Sequence, residues 1–349
     1  MTALTTPARP EQDASPRPLP WRRMAWVTWR QHRIALAGVA ALLGGPALYL
    51  WLTGLQVHRA WTAAVACHPA SSGACGALVG YYIHDWHPAQ IISIVLQAAP
   101  ALIGAFVGAP VLAREMETGT FRYAWTLGFG RWRWTLAKLV SLAVVVAAAA
   151  GAFSVLLSWY YQPFLAGNPG FGGDPVPLDA TVFDLRGVAF AAWTLAAFAI
   201  GGLAGMLIRR VVPAIVVTLA VYAGLAVAAG VFLREHYMTP LLIRNLNPPG
   251  FAWILSQWWT KGGKPVGQSA LAQFLQQEAP QLAGDGKGGG IPQSPTVNQY
   301  LAQHGYAQWT SYQPGSRFWP FQWIEGGWLL ALSVLLIAAT VWLVRRRAA

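Results

Sequence analysis

Charge is scarce in this chain: 10% of its 349 residues are Asp, Glu, Lys or Arg, against roughly 25% in an ordinary soluble domain. With 55% hydrophobic residues, a water-soluble fold would leave a large apolar surface exposed. Cysteine is almost absent, only Cys67 and Cys75, so no repeated metal-knuckle spacing exists. The motifs of hydrolytic chemistry are also missing. There is no G-x-S-x-G and no H-E-x-x-H, and the glycine-rich GDGKGGG at 284–290 lacks the spacing and final Ser or Thr of a phosphate loop. The chain therefore has no means of hydrolysing a nucleotide by itself.

What the sequence does have is long apolar runs without a charge, at 34–55, 91–112, 139–157, 187–207, 211–233 and 326–344. About 20 apolar residues cross the hydrocarbon core, and a helix closes its backbone hydrogen bonds internally. The expected fold is an all-α polytopic membrane protein with six transmembrane helices. Pro46, Pro100, Pro110 and Pro213 fall in or beside the runs as kinks. An even number of spans puts both termini on one side. If that side is the cytoplasm, it collects sixteen of the 24 Lys and Arg and four of the 12 acids, so the whole net charge of +12 lies there. This is the positive-inside pattern of a cell-membrane protein, and it explains the basic balance without nucleic acid.

The expected division is a disordered cytoplasmic tail at 1–20, an amphipathic interfacial helix at 21–33, spans one to five over 34–233, an extracytoplasmic module at 234–323, and the sixth span with a basic tail at 324–349. In the interfacial helix Trp21, Met24, Ala25 and Thr28 share one side, while Arg22, Arg23, Arg30 and Arg33 share the other, with Trp29 beside them. Aromatic residues at the expected water boundaries read as anchors: Trp159, Tyr160 and Tyr161, then Trp258 and Trp259, then Phe318, Trp319, Phe321 and Trp323. In the module, 238–255 is apolar but broken by Pro240, Pro248, Pro249 and Gly250, which suits short re-entrant or surface helices. The run at 284–290 reads as a linker. Ser294 as N-cap, Pro295 after it and Gly305 as a stop define a helix with Val297, Tyr300 and Leu301 on one face.

Candidate chemistry is thin. Cys67 and Cys75 share the first loop with His68, His84, Asp85 and His87; an oxidising exterior favours a disulfide, with free thiols and a zinc site as alternatives, and no metal is expected. The apolar runs hold no ionisable residue, which argues against a proton pathway. Gln97, Thr194, Thr218 and Tyr222 are the polar residues available to line a translocation path, with core packing as the other reading. Gly201 and Gly205 allow close helix contact.

The connection after the second run, AREMETGTFRYAWTLGFGRWRWTLAK at 113–138, resembles the permeases of type-2 ABC exporters. In that family a charged R-E-x-E-x-G-T segment follows the second span, and an Arg and then a Lys precede the third. Arg114, Glu115, Glu117, Gly119, Thr120, Arg131 and Lys138 match in order. The six spans, the insertion before the last, and W-R-Q-H-R at 29–33 agree, and the tail YQPGSRFWPFQWIE at 312–325 is similar to actinobacterial-like members. FRYAW and LGFG depart from the leucines and the Pro-containing turn usual there.

The resemblance implies a coupling segment at 113–134, in which Glu115 and Glu117 meet basic groups of a cytoplasmic ATPase. The alternative is that both acids serve helix dipoles. It also implies two ATPase subunits, a second permease copy or paralogue, ATP and Mg held by the ATPase and no cofactor on this chain, and export of a hydrophobic or amphipathic compound. Two other readings are a membrane-anchored sensor or assembly protein, and an enzyme acting on lipid-linked substrates around Asp174, Asp179 and Asp184.

Overall fold

The structure is a computed structural model, and it describes residues 21–67, 73, 75, 86–119, 131–166, 176–245, 248, 251–282 and 294–347. The tail at 1–20, Thr120 and the rest of 120–130, His68, His84, Asp85, Asp174 and the glycine-rich run at 284–290 lie outside the described residues.

Six helices are long and apolar enough to cross a membrane. Span 1 is Trp21–Ala66, span 2 is Gln90–Thr118, span 3 is Arg131–Leu165, span 4 is Ala189–Ile208, span 5 is Val211–His236 and span 6 is Phe318–Arg347. Span 1 is one uninterrupted helix of 46 residues, about 69 Å at 1.5 Å per residue, more than twice the hydrocarbon thickness. No Gly or Pro falls between positions 21 and 37 to break it. The stretch 21–33, expected as an amphipathic interfacial helix, is helical and continuous with span 1.

Span 4 is the hub. It packs on spans 2, 3, 5 and 6, and its core window is 72% buried, against 11% for span 5. The contact with span 2 has almost no room for side chains. A Cβ added at Gly104 would stand 2.5 Å from the Ala197 carbonyl oxygen, and one at Gly108 2.6 Å from that of Phe198. From the other side, Gly201 faces Gly104 and Ala109, and Gly205 faces Ala109 and Ala113. The small-residue pair read in the sequence is therefore a backbone-to-backbone seam. Span 2 runs as a π-helix over Gly104–Gly108 at this seam, between helical segments Ala99–Ile103 and Ala109–Thr118 that each carry Pro at the start. Span 1 leans on span 3, where Gly54 leaves space for Trp159.

Of the aromatic residues expected as interfacial anchors, several pack inside the protein. Tyr160 and Tyr161 lie inside span 3 and are buried, Tyr161 sharing a short hydrogen bond with Ser93 of span 2. Trp258 and Trp259 belong to the insertion. Trp319 and Trp323 of span 6 are exposed while Phe318 and Phe321 turn inward.

The insertion between spans 5 and 6 holds a four-stranded antiparallel sheet instead of re-entrant or surface helices. Strands β1 (Leu241–Arg244), β2 (Trp253–Lys261), β3 (Lys264–Val266) and β4 (Tyr306–Gln313) lie in the order β1-β4-β2-β3. Pro240 and the 248–250 break precede strands rather than helices, because a Pro-interrupted apolar run is too short to close helical turns but long enough to pair with β4. Gly262 and Gly263, both at positive φ, form the two-residue turn from β2 to β3. Helices Gln268–Glu278 and Pro295–Gln303 cover one face, burying Leu271, Leu275, Val297 and Leu301 against Trp259 and Tyr306. Ser294 Oγ caps the second helix by accepting from the Val297 amide, and Gly305 follows it at φ +78°. The insertion is tied to the end of span 5 by Gln313 Nε2 donating to Glu235 O at 3.4 Å, and to the segment just after it by Gln313 Nε2 donating to Met238 O and Arg317 Nη1 to Thr239 O, both at 2.7 Å.

Candidate functional site

The matched segment begins inside the last turns of span 2. Gly119 sits at φ +70° and ends the helix Ala109–Thr118, a conformation glycine adopts without steric cost. This explains the glycine two residues after the second acid. On the turn before it, Arg114 and Glu117 are exposed while Glu115 turns inward.

Glu115 Oε1 accepts from Lys138 Nζ at 2.5 Å, and the lysine is buried in span 3 and also donates to the Val111 carbonyl at 3.2 Å. Glu115 is therefore engaged within the chain. Glu117 points the other way: its Oε2 accepts from the amide of Val211, the first residue of span 5, at 3.1 Å. The first amides of a helix lack intrahelical partners, and a carboxylate there also meets the positive end of the dipole, worth about 0.3–1 kcal/mol. The acid thus serves a helix dipole, but that of span 5 and not its own. Spans 4 and 5 are joined by Arg209 and Arg210 alone, with Arg209 at φ 60°, which brings the start of span 5 to Glu117. One turn of span 2 is therefore fastened to spans 3 and 5 together. Arg131 opens the span 3 helix; the side chains of Arg131, Trp21, Arg22 and Arg23 are not among those described. Trp29, Arg30 and Arg33 are exposed on span 1, where Arg30 lies 5.6 Å above the Trp26 ring.

The candidate path residues each make a contact within the bundle. Gln97 Nε2 donates to Ala180 O at 2.9 Å, holding the loop before span 4. Thr194 and Thr218 are buried and return their hydroxyls to the carbonyls of Phe190 and Ala214. Tyr222 packs edge-on against Trp193. Cys67 and Cys75 are joined as a disulfide, and no group of three metal-ligating side chains exists among the described residues.

At the opposite end of the bundle lies a cluster the sequence did not reveal. Spans 5 and 6 extend past the charge-free runs to include Arg234 and Glu325, so the membrane helices do hold ionisable residues. Arg234 is buried and donates through Nε and Nη2 to both oxygens of Glu325, at 3.0 and 2.8 Å, and through Nη2 to Asp184. Glu325 is fully buried and also accepts from Trp193 Nε1 at 2.8 Å and Tyr237 Oη at 3.2 Å. The guanidinium lies 4.4 Å over Phe183, and Gln322 accepts from the Ala189 amide and donates to Phe183 O. Asp179 caps the short helix Ala180–Phe183 by accepting from Thr181. Two carboxylates share one cation. Burial pushes the Asp184 carboxyl up to about 7, Glu325 adding to the rise against the pull of Arg234.

Six helices long and apolar enough to cross a membrane, packed around span 4, define the class: a polytopic helical membrane protein. The family model described as ABC-2 membrane transporter related matches residues 37–234, more than half of the chain, and the chain belongs to that family. It is accordingly a multi-pass permease of an ABC-2 transporter, a family that implies a partner ATPase. No curated protein matches the chain, and no solved structure does.

Two outcomes follow from these contacts. Removing one partner of a buried ion pair costs about 3–5 kcal/mol, while replacing both by apolar groups is often neutral. Lys138→Met and Glu115→Leu should each lower the unfolding midpoint in detergent by several degrees, and the double variant should recover most of the loss. For Asp184 the folded value stands above the unfolded one, about 3.9. Its contribution to stability is complete below pH about 4 and is lost as pH rises through about 7. The unfolding midpoint of Asp184→Asn should lack that fall between pH about 4 and about 7 when compared with wild type.

Proposed function

We propose that this permease works as an exporter: two ATPase subunits, holding ATP and Mg, dock on its cytoplasmic face and drive a hydrophobic or amphipathic compound such as a drug, antibiotic, peptide or lipid outward. In this reading both termini and the turn 114–119 face the cytoplasm of the cell membrane, the sheet-bearing insertion is extracytoplasmic, and a second permease copy or paralogue completes the transporter.

The observation that carries the reading is the fastening of one short turn to two spans. An ATPase that engages the exposed Arg114 and Glu117 moves a turn already joined to span 3 through Glu115 and Lys138 and to span 5 through Glu117 and Val211. Nucleotide-driven closure is then delivered to three spans as a rigid-body displacement. A sensor or assembly protein needs no such linkage, and an enzyme needs a cluster that the paired Asp184 and the capping Asp179 do not form.

The test is to purify the tagged chain from its native membrane, identify the proteins that come with it, and compare vanadate-sensitive ATP hydrolysis of wild type, Arg114→Ala and Glu117→Ala. The expected outcome is a stoichiometric ATPase whose hydrolysis falls several-fold in both variants while the unfolding midpoint changes by only a few degrees. Purification without any ATPase would overturn the reading.

A further inference from the structure

Spans 1 and 3 leave a groove between them of about 510 Å³, within the range of roughly 300–1,000 Å³ typical of ligand sites. Its walls are apolar: Trp29, Leu36, Leu43 and Gly44 on span 1, Ala149 and Phe153 on span 3. From Trp29 to Ala47, the last span 1 residue on its wall, the helix rises about 27 Å, close to the hydrocarbon thickness of about 30 Å. The groove therefore runs along span 1 for a length comparable to the hydrocarbon core and is too apolar for a polar solute.

The end at Trp29 is different. Arg33 stands four residues after Trp29 and three before Leu36, so it lies on the same face of the helix as the groove, and it is exposed. Arg30 is exposed beside it. His32 Nε2 in span 1 and Trp134 Nε1 near the start of span 3 are buried without a hydrogen-bond partner. Among the described residues this end carries Arg30, Arg33, Arg114 and Lys138; of the two acids on the last turn of span 2, Glu115 is paired with Lys138 and Glu117 is turned to the amide of Val211. An apolar slot that opens at one end into surplus positive charge and unused nitrogens matches a molecule with one acyl tail to insert and a phosphate to leave at the mouth.

We propose that the groove between spans 1 and 3 binds an anionic phospholipid, its acyl chain along Leu36 to Phe153 and its phosphate at Arg30 and Arg33. The site is independent of the exporter reading, since it needs neither nucleotide nor ATPase. Gly44 provides the probe. A Cβ there meets no atom within 4 Å, so a large side chain enters the groove without striking the backbone.

The test uses the purified full chain exchanged into detergent with equal amounts of phosphatidylglycerol and phosphatidylcholine, followed by quantification of retained lipid by phosphate assay and mass spectrometry. Wild type should keep about one phosphatidylglycerol per chain and at least ten-fold less phosphatidylcholine. Gly44→Phe and the double variant Arg30→Gln with Arg33→Gln should each reduce retained phosphatidylglycerol ten-fold or more, with unchanged unfolding midpoints. If Gly44→Phe does not fold, the arginine variant alone decides. Equal retention of both lipids, retention unaltered in the arginine variant, or cross-linking of Ala40→Cys chains to one another through the groove would overturn the proposal.

Discussion

Spans 2 and 4 meet backbone to backbone, and the positions of the other helices follow from that contact. Lipid supplies no hydrophobic force between helices, so association depends on how closely they can pack. Gly104, Gly108, Gly201 and Gly205 remove the side chains that would hold the pair apart. Span 4 thereby reaches the centre of the bundle, spans 3, 5 and 6 pack around it, and the end of span 2 arrives beside Lys138 and Val211. The π-helix at Gly104–Gly108 adds to the fit by shifting the register of span 2 where span 4 crosses it.

Buried ion pairs fasten the bundle at its two opposite ends. Glu115 and Lys138 join spans 2 and 3. Arg234 and Glu325 join spans 5 and 6, and Asp184 adds the loop before span 4. A displacement entering at the first end reaches span 5 through Glu117, and span 5 carries it to the second end, where Gln313 and Arg317 pass it to the insertion. The fold thus contains a continuous path of hydrogen bonds and helices from the turn at Gly119 to the sheet.

The six spans were legible because each apolar run is long enough to be unambiguous, and the seam was legible because Gly201 and Gly205 stand four apart. The helix after Ser294 was legible from local capping chemistry. What was hidden depends on residues far apart in sequence. Asp184, Arg234 and Glu325 each sit at the edge of an apolar run, where a charge looks like a loop residue, and only the packing of three segments brings them together. Glu115 pointed to a partner protein until the position of Lys138 was known. The strands were missed because Pro240, Pro248 and Pro249 broke the pattern, although the Gly262-Gly263 pair between Lys261 and Lys264 carried a hairpin signal. Span 1 outran its apolar core because nothing in residues 21–37 stops a helix.

The central claim is that the turn ending at Gly119 is the surface on which an ATPase acts. Both cysteines of the chain are joined to each other, so a single introduced thiol can report on contact. The most direct measurement is short-range cross-linking in native membranes from Glu117→Cys, with Ser256→Cys on the insertion as the comparison. The account predicts a cross-link to an ATPase subunit from position 117 and none from position 256. An ATPase captured from position 256, or no ATPase captured from position 117, would contradict it.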